Sequence, residues 1–102
     1  MMYGLDENTV NKIIGEFKKF AEIETAILYG SRAKGNFKPA SDIDLTFKGE
    51  ALTSNLLNKL SWALDDLMLP YTFDISLLNH ISHLDLLDHI NRVGIVVYQK
   101  NN

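Results

Sequence analysis

Apolar positions in this chain recur in two rhythms, one of three to four residues and one of two. Val10, Ile13, Ile14, Phe17 and Phe20 share the first, with Lys12, Glu16, Lys18 and Lys19 off the stripe. That spacing predicts an amphipathic helix over about 7–20, with Asp6 placed to cap it. Ala26-Ile-Leu-Tyr29 is short and continuously apolar, which predicts a strand over about 25–29 buried on both faces. Gly30 to Ser41 reads as loop, with a short helical turn after Ser31, because Gly35, Asn36 and Pro39 stop a longer helix.

The rhythm of two then takes over. In Asp42-Ile-Asp-Leu-Thr-Phe47, Asp42, Asp44 and Thr46 share one face of a strand and Ile43, Leu45 and Phe47 the other. Leu52, Leu56, Leu57, Leu60, Ala63, Leu64 and Leu67 return to helical spacing. They predict a helix capped by Thr53 or Ser54 and running to about Met68, with Pro70 blocking continuation. Tyr71 to Leu77 alternates again, Thr72, Asp74 and Ser76 opposite Tyr71, Phe73, Ile75 and Leu77. A last helix begins at Asn79 or Ser82 and holds Leu84, Leu87, Ile90 and Val93, with Gly94 at its end. Ile95 to Gln99 is a final strand. Short strands interleaved with helices predict one small α/β domain over residues 1–102, of about four strands with helices packed on one face. If the second and third strands are neighbours, Asp42, Asp44 and Asp74 converge on the opposite face.

Composition narrows the function classes. At 102 residues the chain suits one core and not two. A net charge of −3 argues against a general nucleic-acid surface, though a local basic loop suffices for a nucleotide. With no cysteine, thiolate metal sites, thiol nucleophiles and disulfides are excluded. The first residues lack a basic, then apolar leader, and no apolar run approaches the ~20 residues a bilayer span needs. A cytoplasmic protein without membrane contact is therefore expected.

The convergent carboxylates give the chemistry. Residues i and i+2 of a strand stand roughly 6–7 Å apart on one face, so Asp42 and Asp44 can grip one hard cation or bridge two. Oxygen-only donors favour Mg2+ or Mn2+ over zinc. Asp74 on an adjacent strand makes a two-metal site possible. Upstream, Gly30 admits close backbone approach and Ser31 offers a hydroxyl and an N–H, while Arg32 and Lys34 could screen phosphate oxygens. Gly30 and Gly35 do not make a P-loop, since the Gly-Lys-Ser/Thr end is missing. Taken singly, an Asp-x-Asp or a Gly-Ser is common; together these features point to a phosphate-rich ligand held with metal. His80, His83 and His89 lack the spacing of a zinc set, and Trp62 reads as core or a partner contact.

Gly30-Ser31, ten further residues, then Asp42-x-Asp44 resembles the signature of the DNA polymerase β-like nucleotidyltransferases. Leu28-Tyr-Gly-Ser-Arg-Ala-Lys-Gly35 and Ser41-Asp-Ile-Asp-Leu45 look specifically like the minimal members of bacteria and archaea, and Asp74 in Phe-Asp-Ile75 fits their third carboxylate. The resemblance implies a mixed sheet, ATP as substrate and two divalent ions. It implies that Gly30, Ser31, Arg32 and Ser41 contact the nucleotide and that Asp42, Asp44 and Asp74 are the catalytic, metal-binding residues. It also implies attack on the α-phosphorus with release of pyrophosphate. Larger relatives append an acceptor-binding helical domain, for which a chain ending at Asn102 leaves no room. The minimal members pair instead with a separately encoded helical HEPN-type protein. There the nucleotidyltransferase is the antitoxin and transfers AMP to a tyrosine of the ribonuclease toxin, in a homo- or hetero-oligomeric assembly without direct nucleic-acid contact. Two alternatives stay open: stoichiometric masking of a HEPN protein without catalysis, and transfer to a small hydroxylated acceptor such as an aminoglycoside.

Overall fold

The structure, a computed structural model, describes residues 2–101; Met1 and Asn102, the ends of the expected domain, lie outside the described residues. Helix α1, Glu7–Phe17, starts where Asp6 Oδ1 accepts the Thr9 N–H at 2.7 Å. It stops short of Phe20 because the amides of Lys19 and Phe20 bond carbonyls three residues back, tightening the chain into turns that lead to strand β1, Thr25–Tyr29. A short helix α2, Ser31–Lys34, follows, then strand β2, Ile43–Lys48. Helix α3, Ser54–Asp65, is capped by the Thr53 hydroxyl, which accepts the Leu56 N–H. It ends before Met68, whose positive φ of 56° is incompatible with a continuing helix. Strand β3, Phe73–Leu77, runs into a 3-10 turn at Leu78–His80. Helix α4, Leu84–Val93, begins later than either expected start because the 3-10 turn consumes Asn79 and His83 provides the cap. Strand β4, Ile95–Gln99, matches its predicted bounds.

The four strands form one sheet in the order β3-β2-β1-β4. β1 is antiparallel to β2 and β4, whereas β2 and β3 are parallel, so the sheet is mixed. A parallel neighbour needs a crossover, which α3 provides between β2 and β3.

The apolar faces predicted from alternation make the core. Ala26, Leu28, Ile43, Leu45, Phe47 and Leu77 meet Val10, Ile13 and Phe17 of α1 and Leu60 and Leu64 of α3. Phe17 stacks edge-on against Phe47 at 5.2 Å and Tyr98 at 5.9 Å. Burying a side chain of this size stabilises by about 1.5–3 kcal/mol, so this layer fastens the two helices to the sheet.

One helix departs from the expected single layer. α4 lies against the other face of β1: Ile27, out of phase with Ala26 and Leu28, sits where a Cβ on Gly94 would come within 2.9 Å of its methyl. Gly94 ends α4 not in the left-handed form but in extended backbone, at φ −60° and ψ 140°, and its missing Cβ lets the helix end approach β1. Local periodicity gives a helix its apolar stripe but not the sheet face it covers.

Candidate active site

The parallel register of β2 and β3 sets Asp44 directly beside Asp74 and Thr46 beside Ser76. The antiparallel register of β1 sets Tyr29 on the other side of Asp44. The polar face thus carries Tyr29, Asp44 and Asp74 across three adjacent strands. Below them Ser76 Oγ donates to Thr46 Oγ1 at 3.0 Å, and Thr46 is fully buried, so the floor of the patch is a satisfied hydroxyl pair.

Electrostatics show how tightly the carboxylates are gathered. Asp44 is pushed up to about 6, first by burial and then by the charges of Asp74 and Asp42, with Arg32 opposing them. Asp42, just ahead of β2, and Asp74 are exposed. Burial also raises Tyr29 above the ordinary phenol range; Ser76 partly offsets this, and the charges of Asp74 and Asp44 add to it.

Gly30 joins β1 to α2 at φ 77° and ψ −157°, a region essentially restricted to glycine. A Cβ there would run into Asp44 Oδ2. The loop at Gly30 therefore approaches the carboxylate so closely that only glycine fits there. The first intrahelical bond of α2 runs from the Lys34 N–H to the Gly30 carbonyl. The amides of residues 31–33 lie ahead of that ladder, as at any helix start.

Arg32 has a different place from the one expected of a phosphate contact. It is only 2% exposed. Its guanidinium donates to the carbonyls of Tyr3 (2.9 Å), Pro39 (3.2 Å) and Ser41 (2.9 and 3.1 Å). Its flat faces lie over Phe37 and Tyr71, 5.4 and 5.0 Å from the ring centres. With its donors spent on backbone, Arg32 shapes the loop from within. Ser41 is part of the same closure, its hydroxyl accepting the Lys38 N–H at 2.8 Å. Lys34 and Lys38 are exposed.

The three histidines serve separate ends. His83 Nδ1 caps α4 by accepting the Leu86 N–H, His80 is exposed in the 3-10 turn, and His89 Nε2 accepts the Gly30 N–H at 2.9 Å. His89 is the residue that sequence reasoning passed over: its partner is 59 positions away, and nothing in the local pattern marks it. Trp62, at 66% exposed, is not core.

Among the described residues, no three His, Cys, Asp or Glu side chains form a ready-made metal cluster. The donor set nevertheless fits a hard divalent cation. Mg2+ is commonly held by one or two carboxylates, with water and substrate phosphates completing its shell. Asp44 and Asp74 in register, with Asp42 near, give that oxygen-only set, and their mutual repulsion is relieved by a cation.

A family model described as polymerase beta, nucleotidyltransferase matches residues 11–102. Among solved structures, the chain is similar to a toxin–antitoxin crystallised with AMP-PNP, at 21% identity over 90% of this chain and 74% of that one, TM-score 0.72. It is similar also to the toxin–antitoxin MntA-HepT, at 18% identity over 93% of this chain and 74% of that one, TM-score 0.67. A third likeness is to a complex of a tri-AMPylated HEPN toxin from Shewanella oneidensis with an MNT antitoxin, at 18% identity over 94% and 74%, TM-score 0.68. At these identities the likeness is one of fold. No curated protein matches the chain. No helix among the described residues is long and apolar enough to cross a membrane.

Proposed function

The chain belongs to the polymerase β nucleotidyltransferase family, and from that premise we propose that it transfers AMP from ATP to a tyrosine of a helical HEPN-type partner. The observation that carries the reading is the in-register pair Asp44 and Asp74 beside Gly30. The choice of nucleotide and acceptor is supported by the complexes that share the fold, one containing AMP-PNP and another a tri-AMPylated HEPN toxin.

In this reading Gly30 and Ser31 face the triphosphate, the glycine allowing the backbone close to it and Ser31 donating from its amide and hydroxyl. Asp42, Asp44 and Asp74 are the residues that would hold two divalent ions. When bound, such ions neutralise charge at the α-phosphate and favour the deprotonated acceptor. Asp74 is exposed on the edge strand β3, so its carboxylate would be open to an incoming hydroxyl and would take the phenolic proton. The tyrosine oxygen forms a bond to the α-phosphorus, the bond to the β-phosphate oxygen breaks, and pyrophosphate leaves. Arg32 keeps residues 36–41 folded so that Asp42 enters β2 correctly. A cytoplasmic address and assembly with the acceptor protein belong to the same reading.

Incubating the chain with labelled ATP, Mg2+ and the protein encoded by the adjacent gene tests it. Wild type should label that protein, and Asp42→Ala/Asp44→Ala should lose at least ~100-fold in rate, the scale expected when metal-assisted chemistry is removed. Absence of labelling by wild type, or undiminished labelling by the double variant, overturns it. A second reading, stoichiometric masking of the partner, is favoured by the exposed apolar side chains of Trp62, Met68, Leu84 and Val96. Neutralisation of the partner that survives loss of all three aspartates would establish it.

A further inference from the structure

The bond from the Gly30 N–H to His89 Nε2 ties the loop between β1 and α2 to a helix on the same face of the sheet. It spans 59 residues and lies in a partly buried setting. Accepting at Nε2 requires a lone pair there, so the ring proton sits on Nδ1. The imidazole also meets Tyr29 edge-on, 6.1 Å between ring centres.

Gly30 needs such an anchor. Its backbone lies in a region that costs free energy to occupy, and such conformations persist only where surrounding contacts over-determine them. On its carbonyl side, the Lys34 N–H provides one contact. On its amide side the partner is His89. Its α-carbon is packed so closely on Asp44 that no side chain fits between them. Rotation of the peptide between Tyr29 and Gly30 would therefore disturb the loop and the carboxylate together.

We propose that His89 is a positioning residue that fixes the Gly30 peptide and so sets the phosphate-facing loop against Asp44. This rests on the reading that Gly30 faces a triphosphate. His89 acts through Gly30 and takes no proton from substrate. Its occupation of the Gly30 N–H also leaves nucleotide contact to the amides and hydroxyl that follow, beginning with Ser31.

The test compares wild type with His89→Ala and His89→Gln. The Gln amide oxygen reaches about as far as Nε2 and can accept the same N–H, but lacks the ring that meets Tyr29. Two readouts are taken: hydrogen exchange of the Gly30 amide, and affinity for ATP with Mg2+ by titration. His89→Ala should speed Gly30 exchange and weaken ATP binding ~10-fold, the scale of one lost hydrogen bond. His89→Gln should restore both to within ~3-fold of wild type. Melting temperatures of the three proteins show whether each is folded under the assay conditions. Equal ATP affinity in wild type and His89→Ala overturns the inference alone, as does His89→Gln behaving like His89→Ala. A wild type that binds no ATP, with Gly30 protected by His89 and by Gln but not by Ala, overturns the proposed function and leaves the anchor standing. If His89→Ala proves unfolded, His89→Gln decides: ATP affinity within ~3-fold of wild type supports the inference, and failure to bind ATP while folded and protected at Gly30 overturns it.

Discussion

Arg32 shows what one residue contributes when its charge is turned inward. Four N–H···O bonds to three backbone carbonyls, and two aromatic faces, hold a guanidinium that is nearly inaccessible to water. Lysine offers a point charge without the planar fork and without the stacking surface. Arg32→Lys should therefore cost about 3 kcal/mol of stability, the scale of losing charged hydrogen bonds and leaving buried carbonyls unpaired. Urea denaturation reads this directly; a change under ~0.5 kcal/mol, the size of a surface substitution, would contradict the clamp. In sequence, Arg32 sits in a loop rich in cations, and the expectation of a phosphate contact followed from that. What could not be seen is that its partners come from three separate stretches, Tyr3, residues 37–41 and Tyr71. Asp42, Asp44, Asp74, Gly30 and Ser31 were easier to single out, because alternation and loop chemistry are local. The role of His89 depends on a contact between distant segments and left no trace.

At the scale of elements, strands were legible because their patterns are written into neighbouring residues: the apolar runs of β1 and β4 keep their predicted bounds, and the alternating β2 and β3 shift by one or two residues. Helix ends were less so. α1 and α3 finish early in tightened turns whose cause is backbone bonding rather than side-chain pattern. The face that α4 covers was not legible at all, since an apolar stripe packs equally well on either side of a sheet. α3 is the crossover that brings β3 alongside β2, yet it packs on the face away from the carboxylates. Removing its cap should thus weaken the fold without altering the chemistry. Thr53→Ala is expected to lower stability by about 1 kcal/mol and to leave the rate of nucleotide transfer per folded molecule unchanged. Thermal melting and the labelling assay, run together, check both halves; a drop in rate beyond the unfolded fraction would mean that α3 reaches the site.

For the whole molecule, the gathered carboxylates oppose folding at neutral pH. Asp44 titrates near 6 in the folded chain against 3.8 for an ordinary aspartate, so the native state binds its proton more tightly than the unfolded state. The sign follows: below about pH 4 the carboxyl is protonated in both states and folding carries no charge penalty from it, and that advantage is lost as pH rises through about 6. Above that it stands as a penalty of about 1 kcal/mol, after discounting for partial solvent exposure. Asp44→Asn should therefore raise the stability of metal-free protein at pH 7.5 by about that amount and do little at pH 4. The same substitution should abolish stabilisation by millimolar Mg2+, as expected of a cation held by Asp44 in the native state alone. Melting curves at the two pH values, with and without Mg2+, check this. An Asp44→Asn protein less stable than wild type at pH 7.5, or still stabilised by Mg2+, would contradict the reading of Asp44 as a cation-relieved carboxylate.

The parallel pairing of β2 with β3 also orders events in time. Asp44 and Asp74 are 30 positions apart in sequence, and they meet only after α3 has crossed the sheet and β3 has docked along β2. Such a non-local pairing pays its loop-closure entropy before it gains any contact, and it forms late compared with helices and hairpins. During synthesis, the antiparallel pair β1–β2 can form while the second half of the chain, with β3 and the His89 anchor of Gly30, is still emerging. At that stage only half of the carboxylate pair is in place. The carboxylate pair is therefore completed late, and a chain interrupted before Phe73 carries the Gly-Ser and Asp-x-Asp motif without Asp74 beside it.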